Sequence, residues 1–235
     1  MVSIFYSLSD IGKKRNTNED YCVAKKFKDL SAIYMVLDGI GGNKSGEIAS
    51  SVAAEKVIEY LDKVDKVSIE DVQEAIAFAN KSIYDMSKSA SQYSGMGTTI
   101  VALFKNSSGI YVVNIGDSRA YKVTKKRLTQ LSQDDTYVNA LIRDNIITKE
   151  AASKHPDRHV LLKALGVNKE VKPNVVKVTG RTFLLCTDGL TITTEEKQIL
   201  NIINSNQNED ICKALVDAAN INGGQDNITV VYVKF

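Results

Sequence analysis

Ile33-Tyr34-Met35-Val36-Leu37 is a short, partly β-branched apolar run that ends in Asp38-Gly39, and it reads as a buried strand entering a loop. Beyond the glycines, Ala49, Val52, Ala53, Val57, Tyr60 and Leu61 recur at helical spacing. Ser45 is placed to cap that helix, with Glu47 in its first turn. Val72, Ile76, Ala79, Ile83 and Met86 mark the stripe of a second helix. Three strand-like runs follow, Thr98 to Phe104, Ile110 to Ile115 and Arg119 to Val123. Asn106-Ser107-Ser108-Gly109 and Gly116-Asp117-Ser118 supply the turns between them. Residues 133–165 or so change character: polar, with short helices, both histidines and Pro156, as an inserted flap subdomain would be. The chain then predicts a strand over Thr182 to Cys186, helices near 194–204 and 207–220, and a last strand from Ile228 to Val233.

Strands precede, separate and follow pairs of helices, without the regular alternation a parallel sheet requires. The expected class is therefore α+β, with antiparallel sheets covered by helices. Apolar residues make up 43% of the 235 positions, enough for one compact domain over 1–235. Charged residues make up 25% and balance to +2, which gives no reason to expect nucleic acid or an anionic membrane as partner. Lys125-Lys126-Arg127 reads as a solvated hairpin tip. The start, Met1 to Tyr6, lacks the charged-then-apolar signal pattern, and no apolar stretch approaches the roughly 18 residues that span a bilayer. These features predict a cytoplasmic protein. Cys22, Cys186 and Cys212 stand far apart and read as reduced thiols, with no disulfide framework or zinc site.

The informative chemistry is a recurrence. Asp38, Asp117 and Asp188 each follow an apolar strand-like run, Asp226 precedes one, and Asn18-Glu19-Asp20 stands near the start. Each Asp alone reads as a turn residue. Strands of shared sheets can bring such ends to one rim, however, and clustered carboxylates repel unless a cation joins them. Oxygen-only ligation without His or Cys suits Mg²⁺ or Mn²⁺ better than zinc. Two rival glycine readings fail on inspection. A P-loop would need Gly where Asn43 and Asp38 stand, and a dinucleotide fingerprint would need Gly where Lys44 stands.

Seven blocks then carry a resemblance. They are Arg15 with Asn18-Glu19-Asp20; Val36-Leu37-Asp38-Gly39-Ile40-Gly41-Gly42 with Gly46-Glu47 and Ala49; Met96-Gly97-Thr98-Thr99; Gly116-Asp117-Ser118-Arg119-Ala120-Tyr121; Leu165-Gly166; Cys186-Thr187-Asp188-Gly189-Leu190; and Gly223-Gly224-Gln225-Asp226-Asn227-Ile228-Thr229. In this order, across essentially the whole chain, they resemble the bacterial protein phosphatase 2C enzymes, metal-dependent serine/threonine protein phosphatases. The resemblance implies a central sandwich of two antiparallel sheets with helix pairs outside, four layers in all, and two Mn²⁺ or Mg²⁺ ions at one end. By matching positions, Asp38 would bridge both ions and Asp188 and Asp226 would hold the first. The Gly39 carbonyl and Asp20 would belong to the second, with Glu19 acting through water. Asp117 would share a weaker third ion with Asp188, and Arg15 would bind the substrate phosphate.

The implied reaction is hydrolysis of phosphoserine and phosphothreonine by a water acidified between the ions, with phosphorylated proteins, Ser/Thr kinases among them, as partners of a monomeric enzyme. No phosphoenzyme is needed, so Cys186 reads as a buried strand residue. The chain departs from the family's usual His at Asn43, carries Ile40 where eukaryotic members have His and so resembles the bacterial pattern there, and has Asp134-Asp135-Thr136 where the flap usually opens with Asp-His-Ser. Metal-bound water is then a candidate source of the leaving-group proton, while no motif places His155 or His159. A regulatory pseudophosphatase, and a phosphatase dedicated to one regulatory phosphoprotein, are the alternatives. Retention of every ligand position argues against the first, and the absence of room for a sensory domain against the second.

Overall fold

A computed structural model describes residues 3–41 and 45–235. The expectations that touch Met1, Val2, Gly42, Asn43 and Lys44 lie outside the described residues. The elements run β1 (Ile4–Asp10), β2 (Asp20–Lys26), β3 (Ala32–Ile40), α1 (Ser45–Leu61), α2 (Ile69–Ser89), a single 3-10 turn (Ser91–Tyr93), β4 (Gly97–Thr98), β5 (Ile100–Asn106), β6 (Gly109–Ile115), β7 (Arg119–Val123) and β8 (Leu128–Gln130). Then come α3 (Tyr137–Arg143), α4 (Lys149–Ser153), β9 (Asn174–Val178), β10 (Thr182–Cys186), α5 (Asp188–Thr193), α6 (Glu196–Ser205), α7 (Asp210–Ile221) and β11 (Ile228–Lys234).

The strands form two sheets, ordered β1-β11-β10-β7-β8 and β2-β3-β5-β6-β9, with β4 beside the end of β3. The pairings between these strands are antiparallel. Alternation along single strands explains the layering. Ile33, Met35 and Leu37 of β3 pack under α1 and α2, against Val57, Leu61, Ile76 and Ile83. Ala32, Tyr34 and Val36 of the same strand face the other sheet, against Leu185, Val231 and Val233. Ile228 and Val230 of β11 turn outward to a third apolar layer under α6 and α7. A strand buried on both faces has no polar alternation, which is why Ile33 to Leu37 reads as a continuous run. The result is the expected α+β four-layer sandwich.

Most predicted elements are found within a residue or two of their expected ends. Ser68 and Asp71 close a capping box on α2, and Thr124 with Arg127 closes the exposed hairpin tip between β7 and β8. Three expectations are corrected. α1 begins at Ser45 itself, so the expected capping residue is the first helical one. β3 does not stop at Leu37; it continues through Asp38 and Gly39 because Gly39 and Ile40 pair with Thr98 and Gly97. The run from Thr98 is interrupted at Thr99, whose side chain and amide bond the Asp38 main chain instead. Among the described residues no helix is long and apolar enough to cross a membrane.

Candidate metal centre

Antiparallel pairing is what gathers the carboxylates. Asp20 at the start of β2 is in register with Asp38 near the end of β3. Cys186 at the end of β10 is in register with Val230 near the start of β11, so Asp188 and Asp226 emerge side by side. β6 ends beside the start of β5, next to Thr98 and Thr99, and this brings the Asp117 loop to the same rim. A basin of about 450 Å³ opens there, lined among others by Arg15, Glu19, Asp38, Gly39, Asp117, Asp188 and Asp226. A neighbouring cavity of about 520 Å³ shares Asp117, Asp188 and His159 with it and runs under α3 and α4.

The small polar residues of the motifs turn out to be fasteners. The Asp38 main chain is held at both of its polar groups, its N–H donating to Thr99 Oγ1 (3.0 Å) and its carbonyl accepting from Thr98 Oγ1 (2.9 Å) and the Thr99 N–H (2.9 Å). Thr99 Oγ1 in turn meets Ser118 Oγ at 2.7 Å, tying the Asp38 strand to the Asp117 loop. Thr187 Oγ1 donates to Asp20 Oδ2 (2.9 Å) and accepts from the Thr229 N–H (3.0 Å). Asn227 secures the N-terminal loop: its Oδ1 accepts from the Glu19 N–H, and its Nδ2 donates to the carbonyls of Ile11 and Thr17, each at 2.9 Å. Gly39 has no room for a side chain, since a Cβ would strike the main chain of Glu19 and Gly46. Its glycine is required by close approach and not by a tight turn.

Electrostatically the basin is unbalanced. Burial first, and then the neighbouring carboxylates, raise the Asp38 carboxyl well above its ordinary value of 3.8. The same causes push Asp117 up to about 7 and Asp188 up to about 6. Asp20 is raised to about 7 by burial, against the opposing hydrogen bonds of Thr229 and Thr187. Asp38 and Asp188 each influence the protonation of the other. Arg15 is the one guanidinium on the basin's lining; its Nη2 lies 2.7 Å from Asp226 Oδ2. Asp20 is the most enclosed of the set at 8% exposure and does not line the basin.

Two oxygens test whether cations fit. Asp20 Oδ1 and Asp188 Oδ1 are buried without a hydrogen-bond partner, an arrangement that costs on the order of 1–3 kcal/mol or more for a charged group. Among the described residues no three Asp, Glu, His or Cys side chains already close on one point as a finished cage. An all-oxygen donor set with orphaned carboxylate oxygens fits hard divalent cations. Of the other candidates, Cys186 is fully buried and its thiol is pushed up to about 12, so it is no nucleophile. His159 reaches the rim of both cavities, whereas His155 is occupied with Asp157 and the Tyr137 ring.

Fold and site together define a metal-dependent phosphohydrolase, and comparison with known proteins agrees. The protein phosphatase 2C family matches residues 12–223, and the chain belongs to that family. It is a metal-dependent serine/threonine protein phosphatase. The serine/threonine phosphatase stp of Listeria monocytogenes is 35% identical over 235 aligned residues, covering 96% of this chain and 93% of that protein. The phosphatase Stp1 of Staphylococcus aureus superposes with a TM-score of 0.92 at 26% identity, covering 100% of this chain and 96% of that one. The catalytic domain of the phosphatase PstP, solved with two manganese ions, superposes with a TM-score of 0.85 at 30% identity, covering 99% of this chain and 97% of that one.

Proposed function

We propose that the basin hydrolyses phosphoserine and phosphothreonine in cytoplasmic phosphoproteins, acting as a monomer in opposition to Ser/Thr kinases. The observation that carries the site assignment is the convergence of Asp38, Asp117, Asp188 and Asp226 on one basin beside a single arginine. Asp38 would be shared by two divalent cations, with Asp188 and Asp226 completing the first position and the Gly39 carbonyl, Asp20 and Glu19 serving the second. Asp117 and Asp188 would share a third, weaker position. Bound Mn²⁺ or Mg²⁺ supplies an acidified water as nucleophile and neutralises charge on the phosphoryl group.

The protein's own contribution is placement. Thr98 and Thr99 hold both the N–H and the carbonyl of Asp38 from the neighbouring segment, so its carboxylate keeps its aim when charge changes nearby. Arg15 presents a planar fork to phosphate oxygens, and its present bond to Asp226 holds it at the basin's edge. Residues 133–165 form a flap that contributes Val138, Ile142 and Ala152 to the wall of the second cavity.

The deciding experiment is hydrolysis of p-nitrophenyl phosphate and of a phosphothreonine peptide, with Mn²⁺, Mg²⁺ or EDTA. Activity that needs the metal and vanishes with EDTA supports the assignment. Folded protein with no activity under any metal would favour a regulatory, non-catalytic role. A second expectation concerns Arg15→Ala. Losing a half-exposed charged contact worth roughly 1.5 kcal/mol should raise KM about tenfold and lower kcat less. An unchanged KM would remove Arg15 from the phosphate site.

A further inference from the structure

Asp135 sits at a junction that the reaction above does not use. It is 7% exposed, and three separate stretches of chain converge on its carboxylate. Oδ2 accepts from the Gly116 N–H (3.3 Å) and from Asn174 Nδ2 (3.1 Å), and Oδ1 lies 3.0 Å from Lys163 Nζ. The main chain repeats the connection, since the Asp135 N–H donates to the Gly116 carbonyl (2.9 Å) and the Asp135 carbonyl accepts from the Leu162 N–H (2.8 Å). Next to it, Thr136 is bridged to Leu161, and the Tyr137 N–H donates to the Val160 carbonyl. Both ends of the 133–165 segment and the residue before Asp117 are therefore fastened at one point.

A carboxylate suits this junction because it accepts at both oxygens and donates nothing, so donors from several directions can meet it. Burying it carries a desolvation cost, offset in part by Lys163, whose side chain is 42% exposed. Gly116 cannot take up the slack: it holds φ +96° with Thr99 packed against it. A neutral amide at position 135 would serve either Lys163 or the Gly116 and Asn174 donors, not both.

We infer that Asp135 is a positioning residue that locks the Asp117 loop to the base of the 133–165 segment. Through it, the hold of Asp117 and Asp188 on their shared cation and the placement of the wall carrying His159 and Leu161 are set together. The inference rests on the reading of that pair as a cation position.

The test compares Asp135→Ala, Asp135→Asn and Lys163→Met in the full chain. It measures Mn²⁺ binding by calorimetry, hydrogen exchange of the metal-free protein, and kinetics on p-nitrophenyl phosphate and a phosphothreonine peptide. Asp135→Ala should weaken the weakest of the Mn²⁺ sites about tenfold or more, as loss of a ligand's supporting partner does. Exchange should rise together at 116–118 and 160–163 while β3, β10 and β11 stay protected, and KM should rise more for the peptide than for the small substrate. Asp135→Asn should recover the Mn²⁺ affinity but leave 160–163 loosened, and Lys163→Met should reproduce that second pattern. Unchanged exchange at 116–118 in Asp135→Ala would overturn the inference, as would a uniform rise along the whole chain. Wild-type protein that binds only two Mn²⁺ would instead remove the third cation position, while the joint loosening of 116–118 and 160–163 would still decide whether Asp135 is the lock.

Discussion

Asp38→Ala should lose at least about 10³-fold in kcat/KM on p-nitrophenyl phosphate at saturating Mn²⁺, roughly 4 kcal/mol of transition-state stabilisation, and yet melt higher than the parent in EDTA. The two halves come from the same geometry. Burial first, and then the charges of Asp20, Asp188, Asp117 and Asp226, raise the Asp38 carboxyl well above its ordinary value, so the folded metal-free chain resists the ionised form that the proposed cation site needs. Alanine removes that conflict. It leaves the strand intact, because Thr98 and Thr99 grip the main chain of residue 38 and not its carboxylate. Near-parental turnover would take Asp38 out of the reaction. A lower melting temperature in EDTA would show that the carboxylates do not repel in the way the basin suggests. The paired readout also separates loss of chemistry from loss of fold.

How far the sequence carried this picture depended on which physical signal each element left. Strands buried on both faces, β3, β5, β10 and β11, were legible as apolar runs, and α1 and α2 as stripes. β1 was not, because it lies at the edge of its sheet with Ile4, Phe5 and Leu8 exposed, and so has no clean alternation. β2 and β9 are edge strands too, and β8 has three residues; none of them offers a period long enough to read. α5 begins on Asp188 itself, inside a motif that drew attention as chemistry and hid its local structure.

At the site, the recurring Asp after an apolar run pointed to convergence, and the family resemblance assigned roles. Neither revealed the fasteners. Thr99, Thr187 and Asn227 act through hydrogen bonds between residues as far apart in sequence as Glu19 and Asn227, and no periodicity records such a contact. The signal available was adjacency at two of the aspartates, Thr187 before Asp188 and Asn227 after Asp226, whereas Thr98-Thr99 stands far along the chain from the Asp38 it holds. A short polar side chain next to a candidate ligand can be its support, and Asp135 extends that logic to the flap.

Metal removal should reverse the usual response to pH. Ordinary Asp carboxyls ionise near pH 4 in the unfolded chain. In the folded metal-free protein, burial and mutual repulsion hold Asp188 up to about 6 and Asp20 and Asp117 up to about 7. Below pH 4 these groups are protonated in both states and contribute nothing. Between about pH 4 and 7 the unfolded chain has released protons that the folded chain keeps, so stability falls as pH rises, and above 7 the full penalty applies. Each such group opposes folding by at most about 4 kcal/mol, and the groups do not simply add because they interact. Asp29, lowered by the hydrogen bonds that oppose its burial, acts in the other direction, but its window lies below pH 4. Divalent cations bind the ionised forms, so they should restore the most stability where the penalty is largest, adding about 2.7 kcal/mol for each site filled at 100 times its Kd. Thermal melts across pH 5 to 8 should therefore show Tm falling with pH in EDTA, and a Mn²⁺-induced rise in Tm that is small at pH 5 and large at pH 8. A metal-free Tm that climbs steadily to pH 8 would mean that these carboxylates are ionised and apart, and with them the bridging role of Asp38 would fall.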